Sequence, residues 1–520
     1  MESLSLLSVL ALLFSIQLMW AVTGNIVFRV NHKYGGRSNK ALGELRAHDA
    51  RRHGRMLAAL DFPLGGDGSP TGAALYFTKV TIGTPPVDYH VQVDTGSDIL
   101  WVNCQNCQRC PAKSDLKISL KRYDLSASST GELISCDDDF CTIAVDLHNS
   151  DCKKGMNCEY FVAYGDGSRT EGYFVRDQFR LDQVSGDLQT STMNGSISFG
   201  YSFNNYNPNT EIAPKKRWIV QCSAKQSGQL GSSSEAVDGL IGFGQANSSI
   251  LSQLASAGKV KKVFSHCLDS NKGGGIFAIG EVVQPKVNRT PLVPNSYVTS
   301  IFCYNFAVSV LAIIRMQHYN VILKSVEVGG QFLNLPTDIF DAGSNRGTII
   351  DSGTTLAYLP SVVYQQLMSK VMEQQPDLQT HVVEQQFRCL CVDDGFPVVK
   401  FHFEGSLILT VYPHEYLFEI SDNEYCIGWQ NSASQTKDGQ DMTLLGDIVL
   451  SDKLVYYDLE NQTIGWAQYN CSSSIRVKDG MTGSAYAVNA HDLSSSTLSP
   501  SKLNFVSSLL FIAVIFKLIE

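Results

Sequence analysis

The chain has 520 residues, of which 44% are hydrophobic and 18% charged, and its formal net charge is -9. This length is sufficient for two substantial hydrophobic cores plus flanking segments. The excess of negative charge argues against nucleic-acid binding through a broadly basic face.

The N terminus has the pattern of a secretory signal peptide. Residues 1–23 form an apolar run with no charge after Glu2, and small residues suited to cleavage follow near Ala21 to Gly24. A retained signal anchor is the alternative, but the run is short. We therefore expect residues 1–23 to be removed.

The segment that follows is basic, with more Lys and Arg than Asp and Glu between residues 25 and 62. Its part from Lys40 to Leu60 is predicted to be helical from residue propensities. We interpret residues 24–70 as a propeptide whose positive charge occupies an acidic cleft until it is cleaved off. A solvated, mobile N-terminal segment is the alternative.

The chain has the composition of a secreted glycoprotein with disulfides. It contains 14 cysteines, which in an oxidising compartment are expected to form disulfides. Cys104, Cys107 and Cys110 have a CxxCxxC spacing that also suits a metal site, but the signal peptide favours disulfides. The Asn-x-Ser/Thr glycosylation sequons are at Asn194, Asn247, Asn288, Asn461 and Asn470.

From Ala73 onward, short runs rich in Val, Ile, Thr, Tyr and Phe alternate with Gly, Pro, Asn and Asp, which predicts mainly β structure. Two helices are predicted, at 249–258 and 360–375. The sequence also repeats internally, because VQVDTGSDILWV (91–102) resembles TIIDSGTTLAYL (348–359), and an apolar pair with Gly follows each copy. This order predicts two β domains of related design that face each other.

The two copies carry the motif Asp-Thr/Ser-Gly-Ser/Thr, for which a chain of this length has on the order of 0.03 chance matches. Ordinary Asx turns are the alternative interpretation of Asp94 and Asp351. Two adjoining carboxylates share one proton, so one of them can activate a water molecule while the other hydrogen-bonds to a scissile carbonyl. Asp94 and Asp351 are therefore the predicted catalytic residues.

The residues after each Asp support this chemistry. A glycine lets the two loops approach closely, which assigns that role to Gly96 and Gly353. The hydroxyls of Ser97 and Thr354 are expected to hydrogen-bond to the carboxylates, although capping their own turns is the commoner role of such residues.

These motifs resemble those of the pepsin family, and specifically those of the nepenthesin-like, often GPI-anchored aspartic proteases of plants, over residues 70–472. The resemblance implies a mainly β, two-lobed pepsin-like acid protease fold with the active-site cleft between pseudo-symmetric β domains, here 71–270 and 271–472. It also implies that YGDGS (164–168) is the tip of a hairpin flap. Tyr164 and Gly165 then cover the substrate, and Trp101 hydrogen-bonds to Tyr164.

The resemblance also bears on the cysteines. The seven between residues 104 and 158 look like the cysteine-rich insertion of nepenthesin-like enzymes, and with Cys222 they can form four bridges of open connectivity. It suggests two further bridges, Cys267–Cys471 and Cys389–Cys426, and leaves Cys303 and Cys391 over. An apolar segment at 295–317 departs from the family pattern, and we interpret it as an insertion or a splice-variant segment.

After Asn470 the chain becomes polar, with a Ser/Thr-rich linker predicted at 473–502 and an apolar tail at 503–520. This pattern predicts GPI attachment, with Ser494 as the candidate site, and a location on the extracellular face of the plasma membrane or in the cell wall. A tail-anchored single span is the alternative, which Lys517 and Glu520 disfavour.

Together these features predict a monomeric aspartic endopeptidase that acts at acid pH on extended polypeptides and needs neither a cofactor nor a metal. No HExxH, GxSxG or P-loop motif supports another enzyme class. A pepsin-fold binding or inhibitor protein without catalytic activity is the main alternative, and a GPI-tethered adhesion or receptor ectodomain is a further one.

Overall fold

The structure is a computed structural model. It describes residues 57–67, 75–105, 107, 110–144, 152–165, 167–202, 230, 236–293, 297–300, 311–314, 318–336, 339–340, 347–376, 378–383, 387–391, 395–421, 423–434, 441–480 and 483–493. The predicted signal peptide, most of the predicted propeptide, the apolar tail and the candidate GPI site Ser494 lie outside the described residues.

The first half of the described chain is mostly strand. Its strands are β1 (Leu60–Asp61), β2 (Leu64–Asp67), β3 (Leu75–Ile82), β4 (Val87–Asp94), β5 (Leu100–Asn103), β6 (Glu132–Leu133), β7 (Glu159–Ala163), β8 (Arg169–Gly186), β9 (Gln189–Ser202), β10 (Gly239–Gly242), β11 (Val263–Leu268), β12 (Gly275–Ile279) and β13 (Glu281–Gln284). Two α-helices accompany them, α1 (Asp139–Ala144) and α2 (Ile250–Ser256), together with a 3-10 helix at Leu125–Ala127.

The second half has the same character. Its strands are β14 (Asn288–Pro291), β15 (Tyr297–Ser300), β16 (Leu311–Ile314), β17 (Tyr319–Val321), β18 (Leu323–Val328), β19 (Gln331–Phe332), β20 (Thr348–Ile350), β21 (Ala357–Leu359), β22 (His381–Val383), β23 (Phe387–Leu390), β24 (Val399–Phe403), β25 (Ile408–Val411), β26 (Leu417–Ser421), β27 (Glu424–Ile427), β28 (Trp429–Asn431), β29 (Thr443–Leu445), β30 (Lys453–Asp458), β31 (Thr463–Gln468), β32 (Ser474–Lys478) and β33 (Ala485–Asn489). The α-helices are α3 (Ser361–Glu373) and α4 (Asp447–Leu450), and 3-10 helices are at Glu404–Ser406, Pro413–Glu415 and Ser432–Ser434. The mainly β prediction is confirmed.

The two helices predicted from the sequence are present as α2 and α3. The side chain of Ser249 caps α2 by accepting a hydrogen bond from the backbone N–H of Ser252. Helix α3 starts after Pro360 and buries one face, formed by Val363, Leu367, Met368 and Val371. None of the helices in the described part of the chain combines the length and hydropathy that a membrane span requires.

The internal repeat corresponds to a repeated arrangement of three strands. In the first copy, β10 pairs parallel with β4 and antiparallel with β5, so that Gly242 lies opposite Asp94. In the second copy, β29 pairs parallel with β20 and antiparallel with β21, so that Leu445 lies opposite Ile350. Each Asp-Thr/Ser-Gly motif therefore lies where a strand leaves a matching three-strand arrangement.

A 15-stranded sheet contains strands from both halves of the sequence, because β11 and β12 pair with β30 on one side and with β1 on the other. The predicted lobe boundary at 270/271 falls in the connection between β11 and β12. The second copy of the repeat lies in a separate five-stranded sheet, in the order β17, β20, β29, β21, β28.

The last part of the predicted propeptide (24–70) is described by the structure, and the propeptide itself stays a prediction. Residues 57–67 are part of the folded core, since β1 pairs with both β8 and β12 and β2 pairs with β3. Leu60, Phe62 and Leu64 are buried. Burial of these apolar side chains against the core stabilises the strands. The basic composition of the segment upstream gave no indication that residues 57–67 form strands. Of the helix predicted for 40–60, residues 57–59 are not helical and Leu60 is in a strand, while 40–56 lie outside the described residues.

The first part of the predicted Ser/Thr-rich linker (473–502) contains regular structure. Residues 474–478 and 485–489 form the hairpin β32–β33, which pairs with β13. Ile475, Val477 and Val488 are buried. In a strand, alternate side chains face opposite sides, so the many polar residues cover the outside of a small apolar core. The rest of the linker, 494–502, lies outside the described residues.

The apolar segment at 295–317 contains two described strands, β15 and β16. They pair antiparallel, with Tyr297 opposite Ile314 and Ser300 opposite Leu311. The remainder of the segment is outside the described residues, and its origin as an insertion or a splice variant stays a hypothesis.

Candidate active site

Asp94 is the last residue of β4, and the loop that follows it supplies its hydrogen-bond donors. The backbone N–H of Gly96 donates to Asp94 Oδ1 at 2.7 Å, and the hydroxyl of Ser97 donates to Oδ2. Asp94 is 6% exposed. Its carboxylate is therefore held in one orientation, at a position with little access to solvent.

Asp351 follows β20 in the matching position of the second copy. The hydroxyl of Thr354 donates to Asp351 Oδ2 at 2.7 Å, and the hydroxyl of Thr95 lies 3.5 Å from Oδ1. Asp351 is 7% exposed. Ser97 and Thr354 thus make equivalent contacts with the two carboxylates.

The two motif loops are joined back to back. The backbone N–H of Thr95 donates to the carbonyl of Ser352 at 2.6 Å, and the N–H of Ser352 donates to Thr95 Oγ1 at 2.8 Å. Such paired bonds fix the distance between the two motifs.

The glycines allow the carboxylates to adjoin. A Cβ atom at Gly96 would lie 2.6 Å from Asp351 Oδ1, and one at Gly353 would overlap Asp94 Oδ1. Gly353 also has a φ of 144°, which favours glycine. Each carboxylate is therefore packed against the glycine that follows the other Asp, where any side chain would collide with it.

The acidity of the pair follows from this packing. Burial, together with the charge of Asp351, raises the pKa of Asp94 to about 7. Burial likewise raises the pKa of Asp351, while the hydroxyls of Thr354 and Thr95 act in the opposite direction. Because the two groups are coupled, they titrate as a pair that keeps one proton over an intermediate pH range.

A third buried carboxyl, Asp447, lies next to the pair and was not predicted from the sequence. It is 2% exposed, and its pKa lies well above the usual range because of burial and the nearby charges of Asp351 and Asp94. Its backbone N–H donates to the carbonyl of Thr354 at 2.7 Å. The repeat contains the signal, since Asp447 follows LLG where the first copy has Phe243 after LIG.

The predicted flap residues lie on a hairpin formed by β7 and β8. The indole Nε1 of Trp101 donates to the hydroxyl of Tyr164 at 2.7 Å. The N–H of Tyr164 donates to the carbonyl of Ser168 at 2.9 Å, which closes the turn. A Cβ atom at Gly165 would have no neighbour within 4 Å. The structure therefore places Gly165 at an open hairpin tip and ties Tyr164 to Trp101.

The disulfides in the structure can be compared with the predicted bridges. The bridges suggested by family resemblance, Cys267–Cys471 and Cys389–Cys426, are present. Within the cysteine-rich insertion the bridges are Cys107–Cys110, Cys136–Cys152 and Cys141–Cys158. The Cys107–Cys110 bridge leaves two of the three CxxCxxC thiols unable to bind a metal as thiolates.

The remaining cysteines are Cys104, which is buried, Cys391, which is exposed and unbridged, and Cys222 and Cys303, which are outside the described residues. The five predicted glycosylation residues are all exposed: Asn194, Asn247, Asn288, Asn461 and Asn470.

Comparison with known proteins gives an independent assignment. The family of xylanase inhibitor N-terminal domains matches residues 76–281, and the family of xylanase inhibitor C-terminal domains matches residues 318–468. Aspartic proteinase 36 of Arabidopsis thaliana is 47% identical over 498 residues, covering 94% of this chain and 94% of that protein. The chain belongs to the plant aspartic proteinase family.

Other family members show the range of similarity. Aspartic proteinase 39 of Arabidopsis thaliana is 47% identical over 479 residues, covering 91% of this chain and 90% of that protein. Aspartic proteinase nepenthesin-2 of Nepenthes gracilis is 26% identical over 418 residues, covering 78% of this chain and 79% of that protein. The nepenthesin likeness inferred from the sequence is thus the more distant of these relationships.

Solved structures share the fold at lower identity. The crystal structure of edgp has a TM-score of 0.59 and 19% identity, covering 80% of this chain and 95% of that one. Basic 7S globulin from soybean has a TM-score of 0.55 and 18% identity, covering 79% of this chain and 96% of that one. These likenesses confirm the two-lobed acid protease fold.

Proposed function

We propose that this aspartic proteinase family member is an active endopeptidase that hydrolyses peptide bonds of extended polypeptides at acid pH. The observation that carries the proposal is the pair of buried carboxylates, Asp94 and Asp351, each packed against the glycine that follows the other. Each also keeps its own hydroxyl donor, from Ser97 and Thr354 respectively.

The mechanism follows from one shared proton. The ionised member of the pair takes a proton from a bound water molecule, while the protonated member donates a hydrogen bond to the scissile carbonyl. The water oxygen attacks the carbonyl carbon to give a tetrahedral intermediate, which collapses when the leaving amine receives a proton. No covalent bond forms between the substrate and the enzyme.

The hairpin that carries Tyr164 is proposed to close over the substrate. A lid of this kind excludes water and pairs with an extended chain. Its hydrogen bond to Trp101 gives the hydroxyl of Tyr164 a fixed position. The substrate is therefore expected to be an unfolded or flexible polypeptide segment, bound by a monomeric enzyme.

We further propose that the enzyme is made as a secreted zymogen. The basic segment upstream of residue 57 would be removed on activation, the five exposed Asn residues would carry glycans, and the C-terminal tail would be exchanged for a GPI anchor near Ser494. The expected location is the outer face of the plasma membrane or the cell wall.

A second candidate function is inhibition or binding without catalysis. It is favoured by the match to the xylanase inhibitor domain families and by the fold likeness to the soybean basic 7S globulin. Against it stand the complete Asp-Thr-Gly-Ser and Asp-Ser-Gly-Thr motifs, in which the hydroxyls of Ser97 and Thr354 each donate to a carboxylate of the pair.

The test is to incubate the purified, processed protein with acid-denatured globin near pH 4, with and without pepstatin. We expect pepstatin-sensitive cleavage that is absent from an Asp94→Asn control. A correctly folded and processed protein that cuts nothing, and that instead inhibits a xylanase in a one-to-one complex, would establish the second candidate.

A further inference from the structure

Residues 490–493, which we call the C-terminal strap, pack across the first strands of the described chain. The N–H of His491 donates to the carbonyl of Gly275 at 2.8 Å, and the N–H of Gly275 donates back to the carbonyl of His491 at 2.8 Å. The N–H of Leu493 donates at 2.8 Å to the carbonyl of Leu64 on β2, the last strand in the order of the 15-stranded sheet. A Cβ atom at Gly65 would lie 2.9 Å from Cβ of Leu493. The strap therefore covers an edge of β2.

The strap and the strands beneath it lie outside the ranges that the two domain families match, which are 76–281 and 318–468. Both Asp-Thr/Ser-Gly motifs lie inside those ranges. The family assignment therefore gives no role to the strap or to its contact with β1 and β2.

One ion pair joins the strap to β1. Nε2 of His491 lies 2.8 Å from Oδ2 of Asp61, and Asp61 is 7% exposed. The other carboxylate oxygen, Oδ1, is buried and has no hydrogen-bond partner among the described residues. A buried carboxylate is costly unless a cation or hydrogen bonds compensate its charge. His491 is in position to supply that positive charge.

A second acidic residue lies directly across from Asp61. In the antiparallel pairing of β1 with β8, Asp61 is opposite Asp182. Directly opposite residues share one face of the sheet, with Cβ atoms about 5 Å apart, and like charges in such a pair are destabilising. Burial raises the pKa of Asp182 and the charge of Asp61 raises it further, while Lys79 and His491 act in the opposite direction. A charged His491 therefore offsets the repulsion between the two acids.

The other charged groups around these two acids lie on β3, β4, β8 and the loop before Arg122. With Asp61 and Asp182 they line one cavity of about 580 Å³: Lys79, Asp88, Lys121 and Arg180. Nζ of Lys79 is paired with Oδ2 of Asp88 at 3.4 Å. The loop before β12 meets His491 with backbone groups of Gly274 and Gly275. Among these residue types, His is the one whose ordinary pKa puts its charge change between pH 5 and pH 8.

The ionisation of His491 has a definite effect on the strap. Burial alone would lower the pKa of His491, but the hydrogen bond to Asp61 and the charges of Asp61 and Asp182 raise it above 6.5. Because the pKa is higher in the folded state, the ion pair contributes fully below the unfolded value of about 6.5. The contribution is lost as the pH rises through the raised pKa of the folded protein.

We propose that the strap is a pH-dependent latch, closed on β1 and β2 in acid and loosened in mildly alkaline solution, with His491 as its titrating group. In acid, the imidazolium compensates the charges of Asp61 and Asp182. In alkaline solution those two carboxylates face each other without it, and the bond between His491 and Asp61 is no longer charge-assisted. The inference does not depend on proteolysis, since neither His491 nor Asp61 belongs to either motif.

The test is hydrogen exchange of the purified protein at pH 5.5 and pH 8.5. The rates are expressed as protection factors, which removes the intrinsic effect of pH on exchange. The peptide that reports on the strap is 485–493, and β18 (Leu323–Val328) is the internal reference. In the native protein we expect the protection of the strap to fall about 5- to 10-fold more than that of β18 between the two pH values. An equal fall in both segments would overturn the proposal.

Two variants separate the charge of the latch from its structure. His491→Gln keeps a hydrogen-bond donor toward Asp61 but never carries a charge. Its strap should show the low, alkaline level of native protection at both pH values. Asp182→Asn removes the opposing charge, so it should reduce the loss of protection at pH 8.5.

His381→Gln is the matched control. Nε2 of His381 lies 2.6 Å from Oε1 of Glu424, and both residues lie in a separate four-stranded sheet made of β22, β23, β27 and β26. This variant removes the same kind of ion pair elsewhere in the molecule. Its strap should respond to pH as the native strap does.

Three results would contradict the latch. The first is a folded His491→Gln protein whose strap keeps the native pH dependence, because Gln does not titrate. The second is an equal change in His381→Gln and His491→Gln, which would show that the effect is not specific to the strap. Should His491→Gln fail to fold, Asp182→Asn decides the question, and an unchanged pH dependence in that variant is the third.

Discussion

At the scale of single residues, Asp447 is a buried carboxyl that belongs to neither motif yet lies beside both. Burial and the neighbouring charges keep its pKa well above the usual range, so it remains protonated in the folded protein at mildly acid pH. The unfolded chain, in contrast, ionises this group near pH 4. The folded state therefore gains from Asp447 below that pH and loses the gain as the pH rises.

This reasoning predicts the behaviour of Asp447→Asn. Asn has nearly the same shape but does not ionise in the unfolded chain, so it removes the pH-dependent loss. The decrease in the free energy of unfolding between pH 4 and pH 7 should be smaller in the variant than in the native protein. Urea unfolding at the two pH values measures it, and an unchanged or larger decrease would show that Asp447 is ionised in the fold.

At the scale of structural elements, the tip of the β7–β8 hairpin is tied to β5 by a hydrogen bond between the side chains of Tyr164 and Trp101. Tyr164→Phe removes the bond to Trp101, which is 2.7 Å long, while keeping the ring. We expect kcat/KM to fall about 3- to 10-fold, because a bond of this kind contributes about 1 kcal/mol. Peptide hydrolysis at the optimum pH measures the effect.

Tyr160→Phe is the matched control, since Tyr160 lies on the same hairpin but its hydroxyl contacts Thr170. It should retain native kcat/KM. Equal losses in the two variants would mean that the hairpin responds to any change, and that the bond between Tyr164 and Trp101 has no special part in substrate binding.

The C-terminal hairpin β32–β33 is a second element whose role can be measured. Ile475 is 0% exposed and packs in the small core that also contains Val282 and Val488. Ile475→Ala should lower the free energy of unfolding by about 2–5 kcal/mol. Ile408→Ala, at a position that is 41% exposed, should cost about 1 kcal/mol or less. If the two variants are equally stable, residues 474–489 do not contribute to the core.

At the scale of the whole molecule, the sequence was most informative at the two copies of the Asp-Thr/Ser-Gly-Ser/Thr motif. The motifs at Asp94 and Asp351 predicted two related strand arrangements, and the structure contains both. The bond between Trp101 and Tyr164 was expected only from family resemblance, because nothing in the spacing of the two residues brings them together.

Other parts of the molecule were not predictable from composition. The strand around Leu60 and the hairpin around Ile475 are short, and each is buried by partners distant in sequence, so the basic or polar residues beside them dominated the prediction. Asp447 comes close to the pair only because β29, which precedes it, pairs in parallel with β20. Tertiary pairing, which a single sequence does not display, decides where such a residue lies.

The central claim is that Asp94 and Asp351 act together as the catalytic pair. Asp94→Asn and Asp351→Asn each remove a carboxylate with little change in shape, and kcat for peptide hydrolysis should fall by at least about 1,000-fold in either variant. Asp182→Asn is the control, because burial also raises the pKa of Asp182 but this residue lies opposite Asp61 of β1, in the half of β8 far from the hairpin tip. The measurement is kcat at pH 4 on one peptide, for all three variants and the native enzyme, with cooperative unfolding verified in each. We predict near-native turnover for Asp182→Asn and none detectable for the other two, whereas substantial turnover by a folded Asp94→Asn or Asp351→Asn enzyme would contradict the account.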